Sequence, residues 1–374
     1  MNIKTLQLNN FRNYEALNIQ PINGLNIFIG RNAQGKSALL ESIYLLATSK
    51  SHRTSKDSEM IKIGCDFTRV FSEIDSNAKG NTNIEVIISK SEKKRIKINS
   101  VTSPKISGLL GNLNTVIFSS SDIDIIKGEP SSRRRLMNLE ISQIKPQYAH
   151  SLASYKRVLE QRNALLKEYN QNSIMKQDFD PWDYQLSTLG ADLISKRKIF
   201  IDFLSIKASE IYSNLSDSSE ELSITYKSSI DVENETDNAE IAEIFFNTLS
   251  SRRDKDIAIG TTGKGPHRDD ILIEINNISA RDYGSQGQQR SAALSIKLAE
   301  IEVIKYNTNE NPVVLLDDVM AELDIVRRKK VLELVLNKFQ AFITATELDE
   351  LEMYSDIQPD VYEVKAGTVS KLDK

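Results

Sequence analysis

The chain has 374 residues, of which 40% are hydrophobic and 27% are charged, and its formal net charge is −4. This length allows a large core and predicts about two compact units. The small negative charge excludes a protein that is basic over its whole surface, but it allows a local basic face that binds nucleic acid.

Composition also predicts where the protein acts. The sequence has no apolar run of about 18 residues, so we expect no membrane span. It starts without the apolar stretch of a secretion signal. The single cysteine, Cys65, excludes an internal disulfide, and its simplest interpretation is a small buried side chain. Together these features predict a cytoplasmic protein.

The first part of the chain predicts strands around a glycine-rich loop. Residues 3–11 and 25–29 have strand-like sequence, and apolar residues recur at helical spacing over 39–47. The loop at 30–37 therefore lies between a strand and a helix. Alternation on both sides of a polar stretch within 84–98 predicts a β-hairpin.

The middle of the chain predicts long helices. Apolar residues recur at helical spacing from about residue 130 to 246, and polar stretches at 170–180 and 213–221 indicate turns between helices. The remaining elements are predicted in this order: a strand near Ile257, a strand at 271–275, a helix at 291–304, and strands at 313–316 and 341–344.

The predicted fold class is α/β. Both ends of the chain form a P-loop ATPase domain with a mixed sheet, and a mainly helical second domain is inserted between them. We assign residues 1–125, with the hairpin lobe, to the first part of the ATPase domain. Residues 126–250 form the helical arm, and residues 251–374 form the second part of the ATPase domain.

The glycine-rich loop has the pattern of a phosphate-binding site. Its backbone N–H groups and the following helix N-terminus would surround phosphate. Lys36 would reach the β- and γ-phosphates and act in catalysis, and the Ser37 hydroxyl would bind magnesium. A chance glycine turn is the alternative, but the strand before the loop and the helix after it favour the phosphate site. The predicted nucleotide-binding residues are Gly30, Arg31, Asn32, Ala33, Gln34, Gly35, Lys36 and Ser37.

Two adjacent carboxylates end the apolar run at 313–316. Burial near a strand end would make both charges costly, and a metal ion resolves that cost. Asp317 would support magnesium, and Asp318 would orient or deprotonate the attacking water. An ordinary strand that ends in aspartate is the alternative. The phosphate loop in the same chain favours the metal site.

The segment Ser285-Gln286-Gly287-Gln288-Gln289-Arg290 resembles the signature loop of ABC-type ATPases. A serine hydroxyl and a glycine backbone at a helix N-terminus make an anion site. We predict that Ser285, Gly287 and Gln288 contact the nucleotide of a partner chain. Asp324, after the Asp pair, matches the dimer-facing D-loop of the same class. A helix-capping turn is the alternative for Ser285.

Three basic segments are candidate contacts to DNA phosphates. The predicted hairpin carries Lys93, Lys94 and Arg95, the helical insertion begins with Arg133, Arg134 and Arg135, and Arg252 and Arg253 end it. A solvated charged face is an equally simple interpretation of each cluster. We assign the first two clusters to DNA binding.

Together these motifs resemble those of the RecF family, which is related to SMC-type and ABC-type ATPase heads. Further stretches that carry the resemblance are Leu8-Asn9-Asn10-Phe11-Arg12-Asn13-Tyr14, Ser51-His52-Arg53-Thr54, Ser131-Ser132-Arg133-Arg134-Arg135 and Gly265-Pro266-His267-Arg268-Asp269-Asp270. The resemblance covers nearly the whole chain.

The resemblance implies an ABC-type head with a short helical arm, with ATP and Mg²⁺ as cofactors. It implies an ATP-dependent head-to-tail homodimer that binds double-stranded or gapped DNA. Slow, DNA-stimulated hydrolysis would act as a switch. The implied partners are RecR and RecO, with RecA loaded onto gapped DNA in recombinational repair and replication-fork maintenance.

Two departures from the wider ABC pattern bear on hydrolysis. Asp318 stands where most ABC ATPases have Glu, and Thr344 lies in the region where a switch histidine is expected. Both predict slow turnover. The alternative hypothesis, the nucleotide-binding subunit of an ABC transporter, fits the ATPase motifs but not these departures or the large helical insertion.

Overall fold

The structure is a computed structural model that describes residues 1–169, 175–216, 220–232, 237–319, 323–335, 338–346 and 358–372. The chain divides into two compact units. One contains Met1–Asp122 and Lys297–Lys374, and the other contains Ile123–Ile296. The two ends of the chain therefore build one unit, and the middle of the chain builds the other.

Strands occur mainly in the first unit. In chain order, the strands of the described residues are β1 Asn2–Phe11, β2 Tyr14–Ile19, β3 Leu25–Ile29, β4 Phe67–Ser76, β5 Gly80–Ser89, β6 Arg95–Ile98, β7 Val101–Thr102, β8 Thr115–Phe118, β9 Leu222–Lys227, β10 Asp270–Ile275, β11 Ile278–Ser279, β12 Val313–Leu316, β13 Ala341–Ala345, β14 Asp360–Lys365 and β15 Thr368–Lys371.

Helices make up most of the second unit. In chain order, the α-helices of the described residues are α1 Lys36–Thr48, α2 Asp124–Lys127, α3 Pro130–Ile144, α4 Pro146–Glu168, α5 Asp180–Leu215, α6 Asn238–Ser251, α7 Arg253–Ile259, α8 Ala280–Tyr283, α9 Gln286–Thr308 and α10 Ile325–Val335.

The central sheet of the first unit is mixed, as predicted. Its order is β15-β14-β3-β13-β12-β8. Strands β14, β3, β13, β12 and β8 are parallel, and β15 is an antiparallel edge strand. Every residue of β3, β12 and β13 is buried. Continuous apolar runs form these strands because both faces of a parallel sheet are covered.

A second sheet in the first unit is antiparallel, in the order β2-β1-β4-β5-β6-β7. It contains the predicted hairpin, in which Val86 lies opposite Ile96. Side chains of β4 and β5 largely alternate between buried and less buried positions, as expected of a sheet with one covered face. Helix α1 contacts strands of both sheets, and all of its residues except Ser37 are buried.

The parallel strands bring the predicted phosphate loop and the two aspartates to one edge of the central sheet. The glycine-rich loop follows β3, the two aspartates follow β12, and Thr344 lies near the end of β13. Carboxyl ends of parallel strands meet at the same edge, and ligands of open α/β sheets bind there. The sheet therefore assembles a candidate site from distant parts of the sequence.

The second unit extends beyond the predicted end of the helical arm at residue 250. Strand β9 pairs with β10, so residues on both sides of that boundary form a three-stranded sheet, in the order β11-β10-β9. The buried guanidinium of Arg162 on α4 also pairs with Asp183 on α5 at 2.6 Å and with Asp256 on α7 at 2.9 Å. These contacts hold residues 251–296 to the helices.

Some predicted elements differ from the structure. The strand predicted near Ile257 is wrong, because residues 253–259 form α7 and Asp256 faces Arg162. Helix α9 begins at Gln286, five residues before the predicted start. Of the predicted turns, residues 170–174 and 217–219 lie outside the described residues.

None of the described helices is long and apolar enough to cross a membrane.

Candidate nucleotide-binding site

The glycine-rich loop joins β3 to α1 in a conformation that requires glycine at position 35. Gly35 has a φ of +120°, and a Cβ atom there would lie 2.8 Å from the hydroxyl oxygen of Tyr14. That hydroxyl donates a hydrogen bond to the Gly35 carbonyl at 3.0 Å. The sequence feature that looked like a phosphate loop is therefore held by a side chain of β2.

A cavity of about 360 Å³ lies over this loop. The residues that line it are Arg12, Asn13, Arg31, Asn32, Ala33, Gly35, Lys36, Ser37, Ala38, Arg53 and Asp318. The N-terminus of α1 adds the positive end of its helix dipole to the arginine and lysine side chains of this lining. An anion such as a nucleotide phosphate is the ligand that this lining favours.

Two other loop residues, Lys36 and Gln34, make hydrogen bonds that hold the loop. The Lys36 ammonium donates to the Gly30 carbonyl at 2.6 Å, and its side chain is buried within the loop. The Gln34 side chain accepts from the Ala366 N–H at 2.7 Å, which ties the loop to the turn between β14 and β15. Gln34 thus anchors the loop to a neighbouring turn, and the Lys36 ammonium lies against the loop backbone.

Thr344 links the two aspartates that follow β12. Its hydroxyl oxygen lies 3.2 Å from Asp317 Oδ1 and 3.1 Å from Asp318 Oδ1, and it accepts from the Asp318 N–H at 2.8 Å. One hydroxyl proton can serve only one carboxylate at a time. Asp318 adopts a φ of +54°, a conformation that is uncommon for a non-glycine residue and occurs often at functional sites.

The surroundings of Asp317 suit a bound cation. Burial alone would raise the pKa of its carboxyl, but His52, Ser37 and Thr344 outweigh burial and hold that pKa below its usual value. The group therefore stays ionised next to the Ser37 hydroxyl. These are hard oxygen donors, which fit Mg²⁺ when nucleotide phosphates complete the coordination.

Magnesium bound there would neutralise charge on the phosphates. The described residues contain no group of three or more His, Cys, Asp or Glu side chains placed to hold a metal by themselves.

Sequence reasoning missed several residues at this site. Arg12 lines the cavity and makes a bidentate pair with the buried Glu41 of α1, at 2.8 and 2.6 Å. Asn13 and Arg53 also line the cavity, and His52 approaches Asp317. All four belong to stretches that carried the family resemblance, but neither spacing nor composition assigned them a role.

The signature-like loop caps α9 in the second unit. The Ser285 hydroxyl accepts from the Gln288 N–H at 3.2 Å, and the Gln288 side chain accepts from the Ser285 N–H at 2.7 Å. This reciprocal pattern is a capping box. Ser285 is exposed, and Gly287 lies in the first helical turn. The capping alternative is therefore realised, and it leaves the loop accessible to a ligand.

Asp324 has a similar capping role. Its carboxylate accepts from the Arg327 N–H at 2.9 Å at the start of α10. Residues 320–322 lie outside the described residues. A D-loop contact from Asp324 stays a prediction.

The hairpin cluster offers two exposed cations. Lys93 and Arg95 are exposed, and Arg95 pairs with Glu92. Lys94 instead donates to the Ser49 carbonyl at 2.7 Å and pairs with Asp57. A phosphate contact from this cluster would therefore fall mainly on Lys93 and Arg95.

The predicted DNA contact is wrong for Arg133. Its guanidinium is buried, makes a bidentate pair with Asp270 at 2.7 and 2.9 Å, and donates to the Gly128 carbonyl at 2.9 Å, so the group is committed to contacts within the chain. Arg134 is partly buried and donates to the Asp269 carbonyl at 2.8 Å. Arg135 alone of the three is exposed.

Comparison with known proteins extends over the whole chain. The profile of the RecF/RecN/SMC N terminal domain family matches residues 2–370. The DNA replication and repair protein RecF of Clostridium novyi (strain NT) is 42% identical over 372 residues, which cover 99% of this chain and 100% of the relative. The protein of the same name from Lysinibacillus sphaericus (strain C3-41) is 39% identical over 373 residues, with coverages of 99% and 100%.

Solved structures agree with these relatives. The recombination mediator protein RecF-ATP of the RecFOR pathway has a TM-score of 0.92 and 36% identity, and the match covers 99% of this chain and 97% of that chain. An Smc head domain derived from Pyrococcus furiosus has a TM-score of 0.56 at 16% identity, with coverages of 99% and 95%. The second match shows the fold alone. The predicted class, an α/β ATPase head of the ABC and SMC type, is confirmed.

Proposed function

The chain belongs to the RecF family of DNA replication and repair proteins, and from this premise we propose that it is an ATP-gated DNA-binding protein of recombinational repair and replication-fork maintenance. Because the chain belongs to this family, we no longer favour the hypothesis that it is the nucleotide-binding subunit of a transporter. The proposed cofactors are ATP and Mg²⁺.

One observation carries the proposal. The phosphate loop, Ser37 and the Asp317–Asp318 pair come together at one edge of the central sheet, over a cavity of about 360 Å³. A relative that is 36% identical over 99% of this chain is named as RecF-ATP. ATP is therefore the ligand that both the geometry and the relatives support, and the oxygen donors of Ser37 and Asp317 support Mg²⁺ beside it.

Lys36 would bind the β- and γ-phosphates, and Ser37 and Asp317 would hold magnesium. Asp318 is the candidate group that orients the attacking water. Its φ of +54° and its contact with Thr344 limit how it can approach that water. We propose that hydrolysis is slow and resets a switch.

ATP would gate a homodimer through the signature loop. Ser285, Gly287 and Gln288 present a hydroxyl, a glycine backbone and a helix N-terminus, which suit the γ-phosphate of a nucleotide bound by a second copy. Because only ATP carries that phosphate, it favours the closed dimer over the monomer. The dimer would then bind double-stranded or gapped DNA and, with RecR and RecO, help load RecA.

Sedimentation velocity with purified protein tests the gate. We expect a monomer without nucleotide and with ADP, and a dimer with ATP and Mg²⁺. Binding to a fluorescent gapped duplex at physiological salt should tighten with ATP. A monomer under every condition would refute the switch.

A further inference from the structure

The ring nitrogens of His52 are buried without a hydrogen-bond partner beside the proposed magnesium site. The side chain is 10% exposed, and Nε2 lies 3.6 Å from Asp317 Oδ2. Among the described residues, neither ring nitrogen has a hydrogen-bond partner. A buried polar group in that condition is costly. Packing of the ring does not explain why a histidine occupies this position.

The imidazole is held in place by the same helix that carries Ser37. Its ring meets Tyr44 of α1 edge to face, with centroids 5.4 Å apart and an interplanar angle of 82°. The preceding residue, Ser51, hydrogen-bonds to Glu41 of α1 and accepts from the Arg53 N–H at 2.9 Å. Helix α1 therefore sets the position of the Ser37 hydroxyl and of His52 relative to the Asp317 carboxylate.

The two oxygens of Asp317 have different neighbours. Oδ1 lies 3.2 Å from the Thr344 hydroxyl, and Oδ2 faces His52 Nε2. Thr344 is shared with Asp318, so its single proton cannot fix Asp317 continuously. A second donor on the opposite oxygen would remove that ambiguity.

We propose that His52 is a positioning residue for Asp317: an Nε2–H donor that orients the carboxylate towards the Ser37 hydroxyl and so sets magnesium affinity. Partners behind a metal-binding carboxylate fix its orientation, and their loss typically lowers metal affinity about 10–100-fold. On this assignment, the loop after α1 supplies an imidazole to the site, whereas β13 supplies Thr344. The proposal rests on the proposed nucleotide site.

Metal affinity provides a readout that is independent of hydrolysis. Full-length protein would be saturated with a non-hydrolysable ATP analogue and titrated with Mn²⁺, with free Mn²⁺ measured by electron paramagnetic resonance. We expect His52→Ala to weaken Mn²⁺ binding about 10–100-fold. His52→Gln, whose amide N–H can also donate to a carboxylate, should restore most of that affinity. The exposed His150 gives a matched control, and His150→Ala should match the wild type.

A nucleotide titration in EDTA distinguishes a specific effect of His52 on metal binding from a general disturbance of the site. If His52 acts through Asp317, His52→Ala should leave metal-free nucleotide affinity within about twofold of the wild type, a free-energy change of about 0.4 kcal/mol or less. Equal losses with and without metal would overturn the proposal, as would equal Mn²⁺ affinity in the wild type and in His52→Ala.

A double-mutant cycle with Asp317→Asn tests the route of the effect. The effect of His52→Ala should disappear when Asp317 is already replaced. A persistent effect of the same size would overturn the proposal. Failure of the wild type to bind nucleotide at all would instead refute the proposed function, so the two failures are distinguishable.

Discussion

At the residue scale, the loop holds the charge of Lys36 in a fixed position. Its ammonium donates to two carbonyl oxygens of the loop, that of Gly30 at 2.6 Å and that of Arg31 at 3.4 Å. A compact ammonium fits this arrangement, whereas a planar guanidinium does not. The position of the charge is therefore as important as its sign.

We expect Lys36→Arg to impair hydrolysis more than binding. The arginine keeps a positive charge near the phosphates but cannot place it where the ammonium lies. Equilibrium dialysis with labelled ATP should show an affinity within about tenfold of the wild type, equivalent to about 1.4 kcal/mol, and phosphate release should fall by a larger factor. Equal losses of affinity and turnover would contradict this role.

At the element scale, the N-terminus of α9 combines an observed capping role with a proposed role in dimerisation. The capping box of Ser285 and Gln288 stabilises the helix, and the exposed hydroxyl is the proposed contact to a partner's nucleotide. A substitution at Ser285 can therefore affect helix capping, dimerisation or both. A side chain that keeps the hydroxyl distinguishes the two effects.

Ser285→Arg should abolish ATP-dependent dimerisation and leave nucleotide binding by the monomer near normal. The large cation blocks the loop, and loss of the cap costs about 1 kcal/mol of stability. Ser285→Thr keeps a capping hydroxyl and serves as the matched control. Sedimentation velocity measures the dimer, and an Arg variant that still dimerises with ATP would show that the loop is misassigned.

The loop from Gly265 to Asp270 contains a histidine that is held neutral. Tyr155 donates to His267 Nδ1 at 2.8 Å, and His267 Nε2–H donates to the Thr262 carbonyl at 3.0 Å. Burial lowers the pKa of His267 from 6.5 to about 4, and nearby arginines add to that effect. The protonated ring would lose its acceptor for the Tyr155 hydroxyl.

The sign of the resulting pH dependence follows from the depressed pKa. Between pH 6.5 and 4 the unfolded chain binds a proton at His267 and the folded chain does not, so the free energy of unfolding falls as the pH falls. The loss attributable to His267 is on the order of 2–3 kcal/mol. Urea unfolding at several pH values should show a shallower dependence for His267→Gln. If the free energy of unfolding depends on pH equally in the wild type and in His267→Gln, His267 does not contribute to that dependence.

At the scale of the whole molecule, net charge gives no indication of where DNA would bind. The net charge is −4, yet the hairpin lobe of the first unit exposes Lys93 and Arg95. Burial of Arg133 removes one candidate from the second cluster. The exposed hairpin cations are therefore the better candidates for phosphate contacts.

Lys93→Glu should weaken DNA binding, and the difference from the wild type should shrink at high salt. Each lost phosphate contact lowers the dependence of affinity on salt, because fewer counterions are released. Lys338→Glu changes the charge equally at another exposed site and is the control. Fluorescence anisotropy at several salt concentrations measures the effect, and equal affinities for both variants would exclude a contact from Lys93.

The local sequence predicts the glycine-rich loop between a strand and a helix, and it identifies the class of the fold. Gly30 to Ser37 lies between an apolar strand and a helix, and four buried residues precede Asp317. Such local patterns depend on neighbours in the chain, so they can be read without a structure. The strand predicted near Ile257 is a helix in the structure. Asp256 on that helix pairs with Arg162, which is far away in the sequence, so a local pattern could not reveal this contact.

Tertiary packing sets which distant side chains come together. Parallel pairing of β3, β13 and β12 brings the loop, Thr344 and the aspartates to one sheet edge. Packing against α1 places His52 beside Asp317, and ion pairing buries Arg133. These contacts join residues that are far apart in the chain, and no spacing or composition encodes them locally.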